Sequence, residues 1–195
     1  DYIINKGDGA FYGPKIDAHK MTRLDSTWQC GTIQLDMALP ERFELEYVGR
    51  DNEKHRPVMI HRVIFGSIER FLGILIEHFA GKFPLWLAPV QVAILAINDD
   101  LIPYAEDIKR KLDMEEIRAE VDSRTESLNK KVRDAQLNKI PLVLTIGKKE
   151  KEAETLSVRT LDGKVAHGVS HDRFFSEVID HIKKRSPDLT FPGLF

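Results

Sequence analysis

The first 83 residues alternate between short strand-like runs and turns that are rich in Gly, Pro, Asp and Asn. The runs cover residues 10–17, 27–39, 43–48 and 57–65, and the turns include Gly49-Arg50-Asp51-Asn52. Such runs bounded by turn residues are typical of β-strands. Because consecutive strands joined by short connections usually pair antiparallel, this part of the chain is predicted to be α+β and built on an antiparallel sheet.

The hydrophobic period changes after residue 66. Apolar residues then recur at helical spacing, as on one face of a helix, at Ile68, Phe71, Leu72, Leu75, Ile76 and Phe79. Ser67 is suited to cap the start of this helix, and Gly81 and Pro84 are suited to end it. The spacing therefore predicts a strand followed directly by a helix over residues 57–80.

Residues 84–195 show a regular alternation of buried-strand and helix patterns. Continuous apolar runs predict strands at 90–97, 117–121 and 141–146, and helical patterns predict helices at 103–112 and 127–137. The Asp162-Gly163 turn then predicts a hairpin of strands 155–160 and 164–169, followed by a helix at 172–184. This order predicts a compact α/β domain with a mixed sheet.

The boundary between the two parts is predicted after residue 83. Pro84 and Pro89 end the preceding helix and stiffen the segment that follows it. A chain of 195 residues is long enough for two modest domains. We therefore expect domains at residues 1–83 and 84–195.

The composition narrows the class of protein. Hydrophobic residues make up 42% and charged residues 31% of the chain, as in globular proteins rather than disordered ones. The net charge of −2 does not by itself indicate a polyanionic partner. Cys30 is the single cysteine, which excludes an internal disulfide and fits a reducing compartment. The longest apolar stretch, residues 85–97, is shorter than the roughly 20 residues of a membrane span, so we expect a cytoplasmic protein without a membrane partner.

Three features of the first part could carry chemistry. Arg70 follows Gly66-Ser67 at the start of the predicted helix, where free backbone N–H groups and a guanidinium could bind phosphate. On spacing alone, however, such a residue is more often part of a solvated helix face. His61 alternates with apolar neighbours in its strand and is either a core histidine or a metal ligand. Gln29 and Gln34 are five residues apart, so they lie on opposite faces of a strand unless a bulge near Gly31 realigns them.

Basic residues are concentrated in part of the second domain although acidic residues balance them in the total. They could contact nucleic-acid phosphates or form a solvated surface. These residues are Lys130, Lys131, Arg133, Lys139, Lys148, Lys149, Lys151 and Arg159.

Several long motifs, in order, resemble one family. The strings are Trp28-Gln29-Cys30-Gly31-Thr32-Ile33-Gln34-Leu35-Asp36, Leu39-Pro40-Glu41-Arg42-Phe43, Met59-Ile60-His61-Arg62 followed by Gly66-Ser67-Ile68-Glu69-Arg70-Phe71, and Trp86-Leu87-Ala88-Pro89-Val90-Gln91-Val92. Together they resemble the threonyl-tRNA synthetase family of class II aminoacyl-tRNA synthetases, over residues 1 to about 185. The resemblance implies the end of a class II catalytic domain, including its motif 3, followed by an anticodon-binding domain.

The resemblance also implies an activity and its partners. The intact enzyme of that family activates threonine with ATP and Mg²⁺, transfers it to tRNA-Thr, acts as a homodimer and holds a zinc ion. Arg70 matches the motif 3 arginine that contacts ATP and stabilises charge as pyrophosphate leaves, and Gln29 and Ser67 match positions beside the nucleotide. Tyr12, Lys15 and Gln34 match the threonine and adenylate pocket, and His61 matches one of three zinc ligands.

In the second domain the resemblance implies a surface that reads the anticodon. Arg133, Glu150 and Arg159 align with that surface, and Thr125 and Lys139 occupy neighbouring aligned positions. Known members often carry Asn and Arg at these last two positions, and Lys lacks the planar fork of Arg.

Other parts of the family pattern do not occur in this sequence. Motifs 1 and 2 and the remaining two zinc ligands are expected upstream of Asp1, so we expect a C-terminal portion of a longer enzyme that is inactive alone. Two alternatives remain open from sequence: a non-catalytic tRNA-binding module derived from a synthetase, or another class II synthetase specific for proline, glycine or histidine.

Overall fold

The computed structural model describes residues 2–21 and 27–195. The chain divides into two units, Asp1–His78 and Phe79–Phe195, which are called here the N-terminal and C-terminal units. No helix in the described part of the chain is long and apolar enough to cross a membrane.

A three-stranded antiparallel sheet is the main element of the N-terminal unit. Its elements in chain order are β1 (Lys15–Met21), β2 (Thr27–Asp36), α1 (Leu39–Arg42), β3 (Tyr47–Val48), β4 (Lys54–His55), β5 (Met59–Val63) and α2 (Ile68–Phe79). The sheet has the order β1-β2-β5, and β3 and β4 form a separate two-stranded hairpin. The antiparallel sheet followed by a helix agrees with the prediction from sequence.

The strand predictions in this unit differ from the observed strands in their bounds. The run at 10–17 is displaced relative to β1, and the runs at 27–39, 43–48 and 57–65 are too long. The run at 27–39 ends as a strand at Asp36, because the Asp36 carboxylate accepts hydrogen bonds of 2.9 Å from the backbone N–H groups of Ala38 and Leu39. These bonds turn the chain into α1, where Pro40 occupies the first helical turn, which tolerates a residue without an N–H. The run at 43–48 consequently contributes only the two residues of β3.

The two faces of the three-stranded sheet differ in polarity. On one face, Ile16 is paired with Ile33 and Leu35 is paired with Ile60. The three isoleucines are 70%, 41% and 63% exposed, for Ile16, Ile33 and Ile60 respectively. The opposite face carries the polar side chains described below. Apolar side chains of α2 are also exposed, since Ile68, Leu72 and Ile76 are 67%, 49% and 53% exposed while Ile74 is buried.

The C-terminal unit is an α/β domain with a mixed sheet, as predicted. Its strands and helices are β6 (Val92–Ala96), α3 (Ile102–Met114), β7 (Ala119–Asp122), α4 (Leu128–Leu137), β8 (Leu142–Ile146), α5 (Lys148–Glu152), β9 (Thr155–Thr160), β10 (Val165–Ser170) and α6 (His171–Lys183). The strand order is β10-β9-β8-β6-β7. Strand β6 pairs parallel with β7 and β8, whereas β8, β9 and β10 pair antiparallel.

Helices cover the sheet of the C-terminal unit on both faces. The larger cluster contains side chains of α3 and α6, among them Ile108, Leu112, Phe174 and Val178, packed on β6, β8 and β9. The smaller cluster lies on the other face, where Ala135 of α4 is grouped with Ala93, Leu95 and Val143. Since β6 is buried at every position, its continuous apolar sequence agrees with a strand covered on both sides.

The C-terminal segment after α6 completes the larger cluster. Phe191 and Leu194 are 2% and 1% exposed and belong to that cluster. Arg173 of α6 donates hydrogen bonds to the carbonyl oxygens of Gly193 and Phe195, and Glu177 accepts one from the backbone N–H of Gly193. The segment is therefore part of the domain core rather than a free tail.

Candidate active site

One face of the sheet in the N-terminal unit collects most of the residues that the sequence singled out. Gln34 of β2 is paired with Lys15 of β1 on one side and with His61 of β5 on the other. Directly paired residues in a sheet point to the same face, so these three side chains lie side by side. The face also carries Asp17, Gln29, Thr32 and Asp36.

A bulge in β2 brings Gln29 onto this face. His19 is paired with Gln29 and Ala18 with Gly31, so Cys30 is the extra residue. As a result the Gln29 amide nitrogen reaches Asp17 Oδ1 at 2.5 Å and Thr32 Oγ1 at 3.1 Å. The bulge next to Gly31, which the sequence left as one of two possibilities, is present.

Asp17 is the centre of a polar network on this face. Its carboxylate forms an ion pair with the Lys15 ammonium at 2.9 Å and accepts hydrogen bonds from Gln29 and from the Thr32 hydroxyl, the latter at 2.8 Å. The hydrogen bond from Lys15, followed by those from Thr32 and Gln29, lowers the pKa of Asp17 against the opposing effect of burial. The carboxylate is therefore held ionised, as an acceptor only.

Tyr12 lies in the turn that precedes β1 and joins the same face. Its hydroxyl donates a hydrogen bond of 3.0 Å to Gln34 Oε1, and its ring makes an edge contact with His61 at a centroid separation of 6.5 Å. Gly13 allows the close approach, since a Cβ atom there would lie 2.0 Å from the backbone oxygen of Leu35. The turn can therefore place Tyr12 over the sheet only with glycine at this position.

His61 is oriented by a buried carboxylate. Its Nε2 lies 2.8 Å from Asp36 Oδ2, and the Asp36 side chain is only 3% exposed. Hydrogen bonds to Asp36 from the backbone of Leu39, from His61 and from the backbone of Ala38 lower its pKa. Because an ionised carboxylate can only accept, Nε2 of His61 carries the proton and Nδ1 keeps its lone pair whenever the ring is neutral.

This geometry fits one ligand of a zinc ion. A metal-binding histidine commonly donates its other ring N–H to a carboxylate, as His61 does to Asp36. Within residues 2–21 and 27–195, however, no group of three or more His, Cys, Asp or Glu side chains could hold a metal. The described residues therefore offer one candidate ligand and its orienting partner, and not a complete tetrahedral site.

Arg70 is anchored at the start of α2, next to β2. Its guanidinium donates a hydrogen bond of 2.8 Å to the carbonyl oxygen of Gln29. Gly66 makes this possible: its φ is +69°, and a Cβ there would lie 2.8 Å from the Arg70 guanidinium. The Ser67 hydroxyl accepts from the backbone N–H of Arg70 at 3.4 Å and donates to Glu69 at 2.7 Å, which agrees with its predicted capping position. Arg70 and Gln29 are thus brought together.

The candidate tRNA-binding residues lie in the C-terminal unit. Arg133 is exposed on α4, Thr125 is exposed in the loop after β7, and Arg159 is half-buried in β9. Arg159 is paired with Val143, whose side chain packs on the α4 side of the sheet, so Arg159 and α4 share that side. Arg159 and the helix that carries Arg133 therefore lie on the same side of the sheet.

Three of the five candidates already make hydrogen bonds within the unit. The Arg159 guanidinium donates to the carbonyl oxygen of Gly163 at 3.3 Å. The Lys139 ammonium donates to the carbonyl oxygen of Ala80 at 2.5 Å, and the Glu150 carboxylate accepts from the backbone N–H of Gly147 at 3.0 Å, capping α5. A surface cavity of ≈ 460 Å³ beside α4 is lined by residues that include Arg124, Lys131 and Asp134, and by none of the five candidates.

Lys131 differs from the expectation for the basic cluster. It is 4% exposed, and its ammonium donates to the carbonyl oxygens of Ala96 and Asp122 at 3.3 and 3.1 Å. It is therefore a buried structural residue and cannot belong to a solvated or phosphate-binding surface.

Sequence reasoning missed three members of the polar face: Asp17, Thr32 and Asp36. The signal was present in part, because Thr32, Gln34 and Asp36 follow one another at the strand period of two. Asp17 pairs with Thr32 across the strands, and that contact could not be read from local spacing.

The comparisons with known proteins define the class. The model of the tRNA synthetase class II core domain (G, H, P, S and T) matches residues 2–79, and that of the anticodon binding domain matches residues 91–183. A threonine–tRNA ligase of Desulfatibacillum aliphaticivorans is 67% identical over 189 residues, which are 97% of this chain and 30% of that protein. Another, of Desulfosudis oleivorans, is 67% identical over 184 residues, which are 94% and 29% of the two chains.

A solved structure shows the same similarity. The crystal structure of the RNA binding domain of threonyl-tRNA synthetase from Cryptosporidium parvum Iowa II matches with a TM-score of 0.79 and 35% identity, over 95% of this chain and 45% of that chain. The two units are thus a class II aminoacyl-tRNA synthetase core segment and an anticodon-binding domain. The chain belongs to the threonyl-tRNA synthetase family, and it spans about 30% of the length of the curated relatives that it matches.

Proposed function

We propose that this chain works as part of a threonine–tRNA ligase, which activates threonine with ATP and Mg²⁺ and transfers it to tRNA-Thr. The observation that carries the proposal is the convergence of Lys15, Gln29 and His61 on one face of the sheet, with the Arg70 guanidinium held against the backbone of Gln29. Relatives that are 67% identical to the chain are threonine–tRNA ligases.

Arg70 and Gln29 serve the nucleotide in this proposal. A guanidinium held at a fixed place by a backbone carbonyl can stabilise the negative charge that develops on the phosphates as pyrophosphate leaves. It does so without transferring a proton, because arginine stays charged. Ser67 lies three residues before Arg70 and orders the first turn of α2 beside it.

Tyr12, Lys15, Gln34 and His61 serve the amino acid and the adenylate. The hydrogen bond from Tyr12 holds the Gln34 amide, and the ion pair with Asp17 holds the Lys15 ammonium in place. A zinc ion ligated by His61 and by ligands outside the described residues would supply a Lewis-acid anchor for the amino and hydroxyl groups of threonine. Such recognition of a hydroxyl separates threonine from valine more strongly than an apolar pocket can.

The C-terminal unit is proposed to bind the anticodon stem and loop through Thr125, Arg133, Lys139, Glu150 and Arg159. Lys139, Glu150 and Arg159 have to exchange their present bonds with Ala80, Gly147 and Gly163 for contacts with RNA. Homodimerisation of the full-length protein is part of the same proposal. The alternative of a non-catalytic tRNA-binding module is less well supported, because such a module has no need of the polar network around Asp17.

Threonine-dependent exchange of pyrophosphate into ATP by the full-length protein tests the proposal. Arg70→Ala is expected to lower the exchange rate by about a hundredfold. Arg56→Ala is the matched control, since Arg56 forms an exposed ion pair with Glu41 at 3.7 Å and has no contact with the polar face. Exchange that depends on serine or proline rather than threonine would overturn the assignment. The 195 residues alone are expected to show only background exchange.

A further inference from the structure

The polar network leaves one atom of Gln29 unused. Its amide nitrogen is shared between Asp17 Oδ1 at 2.5 Å and Thr32 Oγ1 at 3.1 Å. Its backbone carbonyl accepts from Arg70. The side-chain oxygen of Gln29 has no hydrogen bond to any residue in the described ranges 2–21 and 27–195.

The identity of the atom that faces Asp17 follows from charge. A carboxylate has no proton to donate, and the ion pair with Lys15 together with the Thr32 hydroxyl keeps Asp17 ionised. Only the NH₂ end of the Gln29 amide can therefore point towards Asp17. Gln34 differs, because its partner is a hydroxyl: Tyr12 donates to Gln34 Oε1 here, but a hydroxyl can also accept from an amide NH₂, so charge alone does not dictate the orientation.

We propose that Asp17 is a positioning residue of the nucleotide site, which fixes the Gln29 amide so that its oxygen accepts a hydrogen bond from a hydroxyl or amino group of the bound nucleoside. This inference rests on the proposed function, in which Gln29 lies beside ATP. It adds a residue that the sequence did not single out and a chemical requirement on the ligand: the group that meets Gln29 must be a donor.

Replacement of Asp17 by Asn reverses this orientation. Asn offers one oxygen and one NH₂ group to two sets of partners, and the Lys15 ammonium, which can only donate, attracts the oxygen. The Asn NH₂ group then faces Gln29, whose amide must turn over to present its oxygen inward. A donor on the nucleoside consequently meets a second donor.

The experiment compares nucleotides with the full-length protein. The kcat/KM of threonine-dependent pyrophosphate exchange is measured with ATP, 2′-deoxy-ATP, 3′-deoxy-ATP and inosine triphosphate, which lack in turn each ribose hydroxyl and the adenine amine. In the native protein, the analogue that lacks the donor is expected to be about tenfold poorer than ATP. In Asp17→Asn, ATP is expected to lose about tenfold in kcat/KM and the ratio of ATP to that analogue to fall close to one. The ratio does not depend on the fraction of folded enzyme.

Asp8→Asn is the matched control. Asp8 is the other carboxylate near the Lys15 ammonium, at 4.0 Å, and its side chain is 63% exposed and has no contact with Gln29. This variant is expected to keep the native nucleotide ratio. Thr32→Val removes the hydroxyl that shares the Gln29 amide and changes no charge, so it is expected to lower the ratio at least threefold.

The outcomes separate the two proposals. A native full-length protein without threonine-dependent exchange overturns the proposed function. A native protein that is active but treats all three analogues like ATP overturns the role of Gln29 as acceptor. An unchanged ratio in Asp17→Asn, or in Thr32→Val if Asp17→Asn does not fold, overturns the positioning role of Asp17 and leaves the proposed function intact.

Discussion

The Lys131 ammonium donates a hydrogen bond of 3.1 Å to the backbone carbonyl of Asp122, across the gap between α4 and the end of β7. A second bond, of 3.3 Å, goes to the carbonyl of Ala96 at the end of β6. One buried side chain therefore ties a helix to the carboxyl ends of two parallel strands.

Lys131→Met is expected to destabilise the C-terminal unit by about 1–3 kcal/mol, because both carbonyl oxygens lose a charged donor while the apolar stem is kept. The matched control is Lys130→Met, since Lys130 is exposed and pairs with Glu126 one helical turn away, a contact worth only about 0.3–0.5 kcal/mol. Urea unfolding of the 195-residue chain, followed by circular dichroism, measures both. Equal losses in the two variants would contradict the assignment.

Arg118 is expected to hold the segment that enters the C-terminal unit. Its guanidinium donates to the carbonyl oxygens of Trp86, Ala88 and Pro89, with distances of 2.8 to 3.2 Å. Arg118→Met is expected to leave those carbonyls without some of their hydrogen bonds. The free energy of local opening of this segment should fall by about 1–3 kcal/mol. Hydrogen exchange of the Leu87 and Ala88 amides reports the change, with Leu144 in the core as the internal reference. An unchanged pattern at Leu87 and Ala88 would rule out this role.

His171 makes the stability of the C-terminal unit depend on pH. Burial lowers the pKa of His171 most, and the nearby Lys111 charge lowers it further, while Glu154 and Asp172 oppose the shift. The Nε2 atom of His171 lies 3.3 Å from the Tyr104 hydroxyl. In the unfolded chain His171 is protonated as the pH falls through about 6.5, whereas in the folded chain it is protonated only at lower pH. The free energy of unfolding therefore decreases as the pH falls below about 6.5 towards the folded pKa.

His171→Gln removes this titration and keeps a polar partner for Tyr104. The difference in unfolding free energy between the native chain and this variant is expected to shrink from pH 7.5 to pH 5.5. Urea titrations at three pH values over this range measure it. A difference that is constant with pH would show that His171 titrates alike in both states.

Arg133 and Arg159 are expected to contribute separately to tRNA affinity. Either Arg→Ala change is expected to weaken binding of a tRNA-Thr transcript about fivefold or more, and each lost phosphate contact lowers the slope of log K against log salt by about one. Lys184→Ala is the control, because Lys184 follows α6 on the opposite side of the sheet and pairs with Asp180. Fluorescence anisotropy at several salt concentrations gives both quantities. A similar loss of tRNA affinity in Lys184→Ala would contradict RNA binding on the side of Arg133 and Arg159.

The C-terminal unit was largely predictable because its hydrophobic periods are long and regular. Strand 141–146 and helix 127–137 agree with the observed elements to within one residue, and Ser127 is the N-cap residue of α4. Lys131 was grouped with basic residues expected to contact phosphates or to form a solvated surface, although it lies three residues after Leu128 and four before Ala135, on the buried face of α4. A charged residue at such a position is explained only by the carbonyl oxygens that the fold brings to it.

The sequence predicted most residues of the candidate site but not the hydrogen bonds and ion pairs that connect them. The motifs indicated Lys15, Gln29, His61 and Arg70, whereas the partners Asp17 and Asp36 depend on the register of β1, β2 and β5 and on the bulge at Cys30. The short helices α1 and α5 were also missed, because elements of four or five residues carry no usable period.

The three exposed isoleucines of the N-terminal sheet, at positions 16, 33 and 60, bear on how firmly the polar face is held. Their side chains project from the same strands that carry Lys15, Gln34 and His61, so motion of the backbone moves both faces together. A layer packed over the isoleucines would restrict that motion. The polar side chains would then lose less conformational freedom when a ligand binds. Nucleotide affinity is therefore expected to respond to what covers these isoleucines, although none of them lies on the face that would touch a nucleotide.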